Sequence, residues 1–433
     1  MKIVKLSELK KNPNFKQIMK RSQQNYAPVS FVVKKIMAEV KLNGDEAVRK
    51  YTKKFDRVDI VNTKVSRQEI KEAYTKVSKE FLKALAQAIR NISLVQKNQM
   101  QSRALKIVRP VIGVRVWNKW QAIEKVGLYV PGGRAQYPSS VLMNGIPAKL
   151  AGCKNIAIAT PPRSDGLVAP ELLVAADKIG IVDIYKIGGA QAIAAFTYGT
   201  SSVTKVSKIV GPGNSYVAAA KLTGFVAGEI SIDLPAGPSE VFIIADETVN
   251  PKFVAADLMA DAEHGPDGAV VLITTSASLA QAVLLEIEKN IGRFSTQENI
   301  RNSINSFGLF ALVETLDEAI VFANDYAPEH IQIMTKNASK VAKRITNAGS
   351  IFVGIYTCKS AGDYATGANH VLPTGGAAKM FGGLSVFDFM RLVECQSCDV
   401  NGLRKIKDTI ETFASAENLP AHKYSCSVRF KGK

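Results

Sequence analysis

Three observations predict an α/β fold of two doubly wound, incomplete halves facing each other across a cleft. From about residue 125, short β-branched runs alternate with Ala-rich helical stretches, the pattern of βαβ units on a parallel sheet. Two such series follow one another with similar strand number and spacing, and Gly-rich turns punctuate their strand ends. Ahead of them lies a helical N-terminal region and behind them a C-terminal tail.

The first series predicts strands near residues 126–130, 156–159, 184–187, 209–210 and 230–232, with helices near 140–150, 169–179, 190–196 and 215–222. These strand runs are rich in Val and Ile with little polar alternation, as expected where helices cover both faces of a sheet. The second series predicts strands near 241–244, 270–274, 310–313, 331–334 and 351–353, with helices near 251–263, 279–291, 316–327 and 338–348. Upstream, Phe81, Leu82, Leu85, Ile89, Ile92 and Val95 fall at helical spacing between basic residues, which makes 79–100 an amphipathic helix. Ligand crevices in doubly wound sheets lie beyond the carboxyl ends of the strands. The chemistry is therefore expected on loops that follow strands.

A chain of 433 residues can bury more than one core, and 46% hydrophobic with 22% charged residues excludes a disordered or collagen-like protein. The formal net charge is +18, yet residues 1–100 hold 23 basic against 9 acidic side chains, so the basicity belongs to one segment. That segment reads as a solvated helix face. No basic stretch is interleaved with aromatics as a base-stacking platform, and Trp117 and Trp120 lie outside it, so nucleic acid is not the expected partner.

The five cysteines are sparse and odd in number, which suits a reducing cytoplasm. Cys395 and Cys398 form a lone CxxC with no second pair or nearby His and read as ordinary thiols on a helical tail. The N-terminal MKIVKLSELKKNP has no apolar core of signal-peptide length, so no export is expected. Gly268–Leu285, the longest uncharged stretch, is broken by polar residues and reads as strand then helix, so no membrane span is expected.

Three Gly-rich loops, Pro131-Gly132-Gly133, Gly188-Gly189-Ala190 and Gly211-Pro212-Gly213-Asn214, follow predicted strands and can present backbone N–H groups to a phosphate. The full GxGxxG dinucleotide fingerprint is absent, since Tyr216 stands where its third Gly belongs, and there is no Walker lysine motif. Any nucleotide is therefore held by a modified Rossmann-like arrangement.

Only four histidines occur, each in a polar setting. His264 lies three residues after Asp261, a helical spacing that can supply two ligands to one metal ion or form an ion pair at a helix end. His330 follows Glu329 at a helix-to-strand junction, and a carboxylate beside an imidazole suits general acid and base work. His370 closes the stretch Asp363-Tyr364-Ala365-Thr366-Gly367-Ala368-Asn369-His370 in a loop, while His422 stands in the tail five residues after Glu417.

With these segments in this order, the sequence resembles the histidinol dehydrogenase family over nearly its whole length. The motifs that carry the resemblance are GLYVPGG from Gly127, GGAQAIAA from Gly188, VGPGN from Val210, DLPAGPSE from Asp233, AEHGPD from Ala262, YAPEH from Tyr326, SAGDYATGANHVLPT from Ser360 and AHK from Ala421. The resemblance implies a cytoplasmic homodimer with shared active sites. It also implies an N-terminal arm (1–25), a larger domain bearing the metal and catalytic residues (26–128 with 241–384), an NAD-binding domain (129–240) and a tail (385–433) that completes the partner's site. It implies NAD contacts at Tyr129, Gln191 and Asn214, and substrate contacts at Ser239, Asp261, His264, His330, Asp363, His370, Glu417 and His422. A zinc ion would be held by His264, Asp363, His422 and Asp261. Asp261 stands where the family has a glutamine, and the added negative charge makes a harder ion such as Mn²⁺ more competitive.

The implied reaction is oxidation of L-histidinol to L-histidine through bound L-histidinal, the last steps of histidine biosynthesis. His330 would take the hydroxyl proton in the first half and Glu329 would activate water in the second. Cys153, a conceivable thiohemiacetal nucleophile, has no basic neighbour in sequence and reads better as a buried small hydrophobe. Asp261 also keeps open a related dehydrogenase for another amino alcohol or a sulfonated diol.

Overall fold

In the computed structural model of the chain, residues 3–9, 15, 19, 26–101, 105–132, 136–234 and 237–430 are described. Most of the implied N-terminal arm, Gly133, and Pro235 and Ala236 of the DLPAGPSE motif lie outside them. The first seven strands are β1 (Ile3–Lys5), β2 (Val114–Ala122), β3 (Lys125–Tyr129), β4 (Asn155–Thr160), β5 (Asp183–Lys186), β6 (Lys208–Val210) and β7 (Ser231–Ile232). The remaining six are β8 (Glu240–Ala245), β9 (Ala269–Thr274), β10 (Leu309–Leu312), β11 (His330–Met334), β12 (Ser350–Val353) and β13 (Met390–Cys398).

Two parallel sheets result. One has the order β5-β4-β3-β6-β7 and the other β1-β10-β9-β8-β11-β12. Counted from its own first strand in each series, each runs 3-2-1-4-5, with β1 added at the β10 edge of the second, so both are doubly wound as expected. Every residue of β8 and of β9 is buried. That explains why these strands show as unbroken apolar runs.

Helix ends follow their local chemistry. Asn214, Asn250, Ser276 and Thr315 each accept a backbone N–H at a helix start, and Pro138, Pro170 and Pro251 occupy first helical positions.

Helix Ala27–Phe55 presents Val33, Ile36, Met37 and Val40, spaced i, i+3, i+4, i+7, to helix Gly189–Tyr198, and they share a core with Tyr129 and Phe196. Helix Arg67–Lys76 packs on helix Pro170–Lys178. Both helices thus cover the five-stranded sheet rather than the larger one, because their apolar stripes match its Ala-rich helices.

Residues 98–122 and 390–433 form a separate compact unit. In it β13 pairs antiparallel with β2 and is followed by helices Val400–Ala416 and Pro420–Ser427. Cys395 and Cys398 therefore sit on a strand, not on a helical tail. Being three residues apart on a pleated strand they point to opposite faces, which separates the two thiols.

Candidate active site

The catalytic candidates meet at the amino-terminal edge of the six-stranded sheet, the opposite edge from the one expected. His330 is the first residue of β11 and Glu240 the first of β8, and these strands are neighbours, with His330 in register with Val241. Helix Pro251–Ala262 follows β8 and returns, placing Asp261 in its last turn beside Ser239. The rule that favours carboxyl ends describes where loops are free to vary. Here the loops that enter β8 and β11 bring the polar groups.

Glu329 accepts hydrogen bonds at Oε2 from the Glu240 N–H at 2.8 Å and the Ser239 hydroxyl at 3.3 Å. The Nδ1 of His330 lies 3.0 Å from the Glu240 carbonyl and 3.5 Å from Glu329 Oε2. A carbonyl can only accept, so Nδ1 carries the proton and Nε2 holds the lone pair. Nε2 is buried without a hydrogen-bond partner among the described residues, 3.9 Å from Asp363 Oδ1. Burial disfavours the imidazolium of His330, but the Glu329 carboxylate outweighs it and raises the pKa. Burial likewise pushes Glu329 above the usual carboxylate range, against the pull of His330.

Lys359 was not singled out by sequence reasoning, and it lies at the centre of the cluster. Its ammonium is 3.1 Å from Asp261 Oδ1 and 3.0 Å from Asp363 Oδ2, and all three side chains are buried or nearly so. Burial works against the ammonium, yet the two aspartates raise its pKa, and Lys359 in turn holds Asp363 low despite burial. Its position four residues before Asp363, in one helix turn, was the available signal.

His370 Nδ1 lies 3.1 Å from the Asp363 carbonyl and Nε2 3.3 Å from the Ser140 hydroxyl, and burial pushes its pKa down to about 4, so it is neutral at pH 7. His264 stands beyond the helix end, not on a shared face with Asp261. Its ring Nδ1 meets the Asp261 carbonyl at 3.1 Å, and its side chain is exposed beside a cavity of about 630 Å³ that Asp363, Ser360 and Tyr364 also line. Glu417 and His422 lie exposed in the second unit.

The cofactor candidates do lie at carboxyl strand ends. Tyr129 closes β3, Gln191 follows the glycine loop after β5, and Asn214 follows β6. All three line a cavity of about 530 Å³, together with Phe55, Asp56 and Pro161. The Tyr129 hydroxyl accepts from the Gly189 N–H at 3.1 Å, while both polar side-chain atoms of buried Gln191 lack a partner among the described residues. Asn214 caps helix Ser215–Val226 through its Oδ1. Asp56, which sequence reasoning passed over, places a buried Oδ2 without partner in the same region, and burial pushes its pKa up to about 6.

Asp261 and Asp363 of the implied metal set are already bridged by an ammonium, and His422 belongs to the second unit. Among the described residues no group of three or more His, Cys, Asp or Glu is placed to hold a metal ion. A divalent ion would find Asp261 Oδ2 as an uncommitted oxygen and Lys359 as a competing charge. The residues as arranged do not fit it.

Two doubly wound sheets with a buried Glu–His pair define a site suited to acid and base chemistry, and comparison with known proteins specifies it. A profile of the histidinol dehydrogenase family matches residues 19–430. Histidinol dehydrogenase from Clostridium acetobutylicum is 43% identical over 100% of this chain and 99% of its own. That from Methanocaldococcus jannaschii is 45% identical with the same coverage. The crystal structure of histidinol dehydrogenase from Elizabethkingia anophelis superposes with a TM-score of 0.92 at 40% identity, covering 99% of this chain and 97% of that one. The chain belongs to the histidinol dehydrogenase family, and it is an oxidoreductase of amino-acid biosynthesis. Among the described residues no helix is long and apolar enough to cross a membrane.

Proposed function

We propose that the protein oxidises L-histidinol to L-histidine through bound L-histidinal with two NAD⁺. The observation that carries this reading is the buried Glu329–His330 pair, with Nδ1 of His330 fixed on a carbonyl and Nε2 left free. In the first half-reaction Nε2 takes the hydroxyl proton while the carbinol hydride passes to NAD⁺, leaving the aldehyde and NADH. In the second, Glu329 takes a proton from water as the water oxygen bonds to the aldehyde carbon. The resulting gem-diol monoanion gives its hydride to a second NAD⁺ and becomes the carboxylic acid, which loses its proton to solvent and leaves as the carboxylate. A carboxylate raised by burial is a stronger base than an exposed one, which suits water activation.

Ser239 and His370 would position the substrate, and the cavity bearing Tyr129, Gln191 and Asn214 would take NAD⁺, with Gln191 offering free amide groups to its polar parts. Glu417 and His422 would reach the site of a second copy in a homodimer. The exposure of Ile112 and Phe413 in the second unit, 80% and 65%, supports a further partner for that unit. The test is NADH formed per histidinol consumed by the purified full chain. Two NADH per substrate is the expected result. No turnover of histidinol, with turnover of another amino alcohol or diol, would replace the substrate assignment.

A further inference from the structure

We propose that the Lys359 ammonium is the resident cation of this site and that the protein works without a stoichiometric divalent metal. Two carboxylates, Asp261 and Asp363, converge on one point, and Nζ of Lys359 is there at 3.1 and 3.0 Å. The position is enforced from behind. Lys359 opens helix Lys359–Tyr364, and its backbone N–H donates to Asp257 Oδ1 at 3.3 Å, while Asp257 Oδ2 accepts from Gln332 Nε2 at 2.7 Å. With its backbone pinned and its side chain 2% exposed, the ammonium cannot swing to solvent without breaking both ion pairs and burying two unpaired carboxylates, a costly state.

A second cation beside it would face like-charge repulsion in a site of low dielectric, and it would compete with the ammonium for the same carboxylates. Asp261 Oδ1 and Asp363 Oδ2, the carboxylate oxygens that would hold it, are engaged by Lys359. What remains open is Asp261 Oδ2, a buried carboxylate oxygen without partner among the described residues. That oxygen suits a neutral hydrogen-bond donor of the substrate, such as a hydroxyl or an imidazole N–H, which adds no second positive charge beside Lys359. Lys359 is thus a positioning residue: it holds both aspartates in place and neutralises one of them.

The role in turnover rests on the reading proposed above, but the cation assignment does not, because metal content is measured without substrate. The full chain, purified from medium containing zinc and manganese, is analysed by elemental mass spectrometry before and after dialysis. Its melting temperature is then followed on adding Zn²⁺ or Mn²⁺, and NADH production is assayed with and without chelator. We expect far less than one metal per chain, no metal-dependent rise in melting temperature, and turnover indifferent to chelation.

Lys359→Gln opens the carboxylate pair, and this variant should gain a metal-dependent rise in melting temperature that a second substitution, Asp261→Asn, removes. If Lys359→Gln fails to fold, Lys359→Arg, which keeps a buried cation, should fold and stay metal-free. One tightly held zinc or manganese per wild-type chain, whose removal abolishes activity and whose return restores it, would overturn the proposal. A metal-free chain that turns over no histidinol would leave the cation assignment standing and refute the function.

Discussion

Replacing Glu329 by Gln isolates the electrostatic part of the proposed catalytic pair. The amide oxygen of Gln can still accept from the Glu240 N–H, now at 2.8 Å from Glu329 Oε2, so the backbone contact survives while the negative charge is lost. That charge lies 3.5 Å from His330 Nδ1. At an effective dielectric constant of about 20, unit charges at this separation interact by about 5 kcal/mol. Lys359 works against this effect and Asp261 works with it, so loss of the Glu329 charge moves the His330 pKa down.

The sign is fixed. Glu329 raises the His330 pKa above the ordinary 6.5, and His330 acts as base only when neutral. In wild type, kcat/KM for histidinol therefore rises with pH through a midpoint above 6.5, and in Glu329→Gln that midpoint moves to lower pH. Single-turnover formation of the first NADH across pH measures this apart from the second half-reaction. Supplied histidinal measures the second, which should fall by about 100-fold or more with loss of the water-activating base. An unmoved midpoint for the first hydride, or full aldehyde oxidation by the variant, would refute the assignment of the two roles.

Other expectations follow from single contacts. Gly211→Ala places a Cβ 2.0 Å from the Tyr129 carbonyl oxygen at a φ of +123°, so it should cost about 3 kcal/mol or more in thermal unfolding and weaken NAD⁺ binding. Cys153 is buried and its thiol is pushed up to about 11 by burial, so Cys153→Ala should keep both oxidations. Iodoacetamide at neutral pH should leave Cys153 unmodified in peptide mass spectra. Asp56, raised to about 6 from 3.8, lends stability when protonated, present in full below pH 3.8 and lost as pH rises through 6. The shift corresponds to about 3 kcal/mol, reduced to about 1–2 kcal/mol because the side chain is partly exposed. Asp56→Asn should thus raise the melting temperature at pH 7 and leave it unchanged at pH 3.5.

The parallel sheets were legible because burial on both faces writes itself into sequence as unbroken runs such as Val241-Phe242-Ile243-Ile244. The β2–β13 ribbon was not singled out, although Val114 to Ala122 alternates partly buried with exposed positions as a half-covered strand does. Its partner lies in the distant segment Met390–Cys398, and no local pattern announces a pairing at that separation. The Glu329–His330 pair was legible as adjacent chemistry. What it leans on was not, since Glu240, Asp261 and Lys359 reach it through three separate returns of the chain. Asp56 was hidden for the same reason, in a segment whose periodicity pointed only to helix.

The working geometry of the pair is set by sheet register. Because His330 lies opposite Val241, the Glu240 peptide spans both members of the pair: its N–H holds Glu329 and its carbonyl orients His330. A slip of one residue between β8 and β11 would turn His330 to the other face of the sheet and separate it from that peptide. The approach to β11 is equally constrained, for Ala327 takes a left-handed conformation at φ 51° directly before Pro328 and is fully buried. A non-glycine residue in that region is held by its surroundings at some energetic cost, and the turn it makes delivers Glu329 to the sheet edge. The proposed site thus lies at the amino-terminal edge despite the usual preference for carboxyl ends. Parallel hydrogen bonding between two buried strands fixes an adjacent acid and base more firmly than a free loop would.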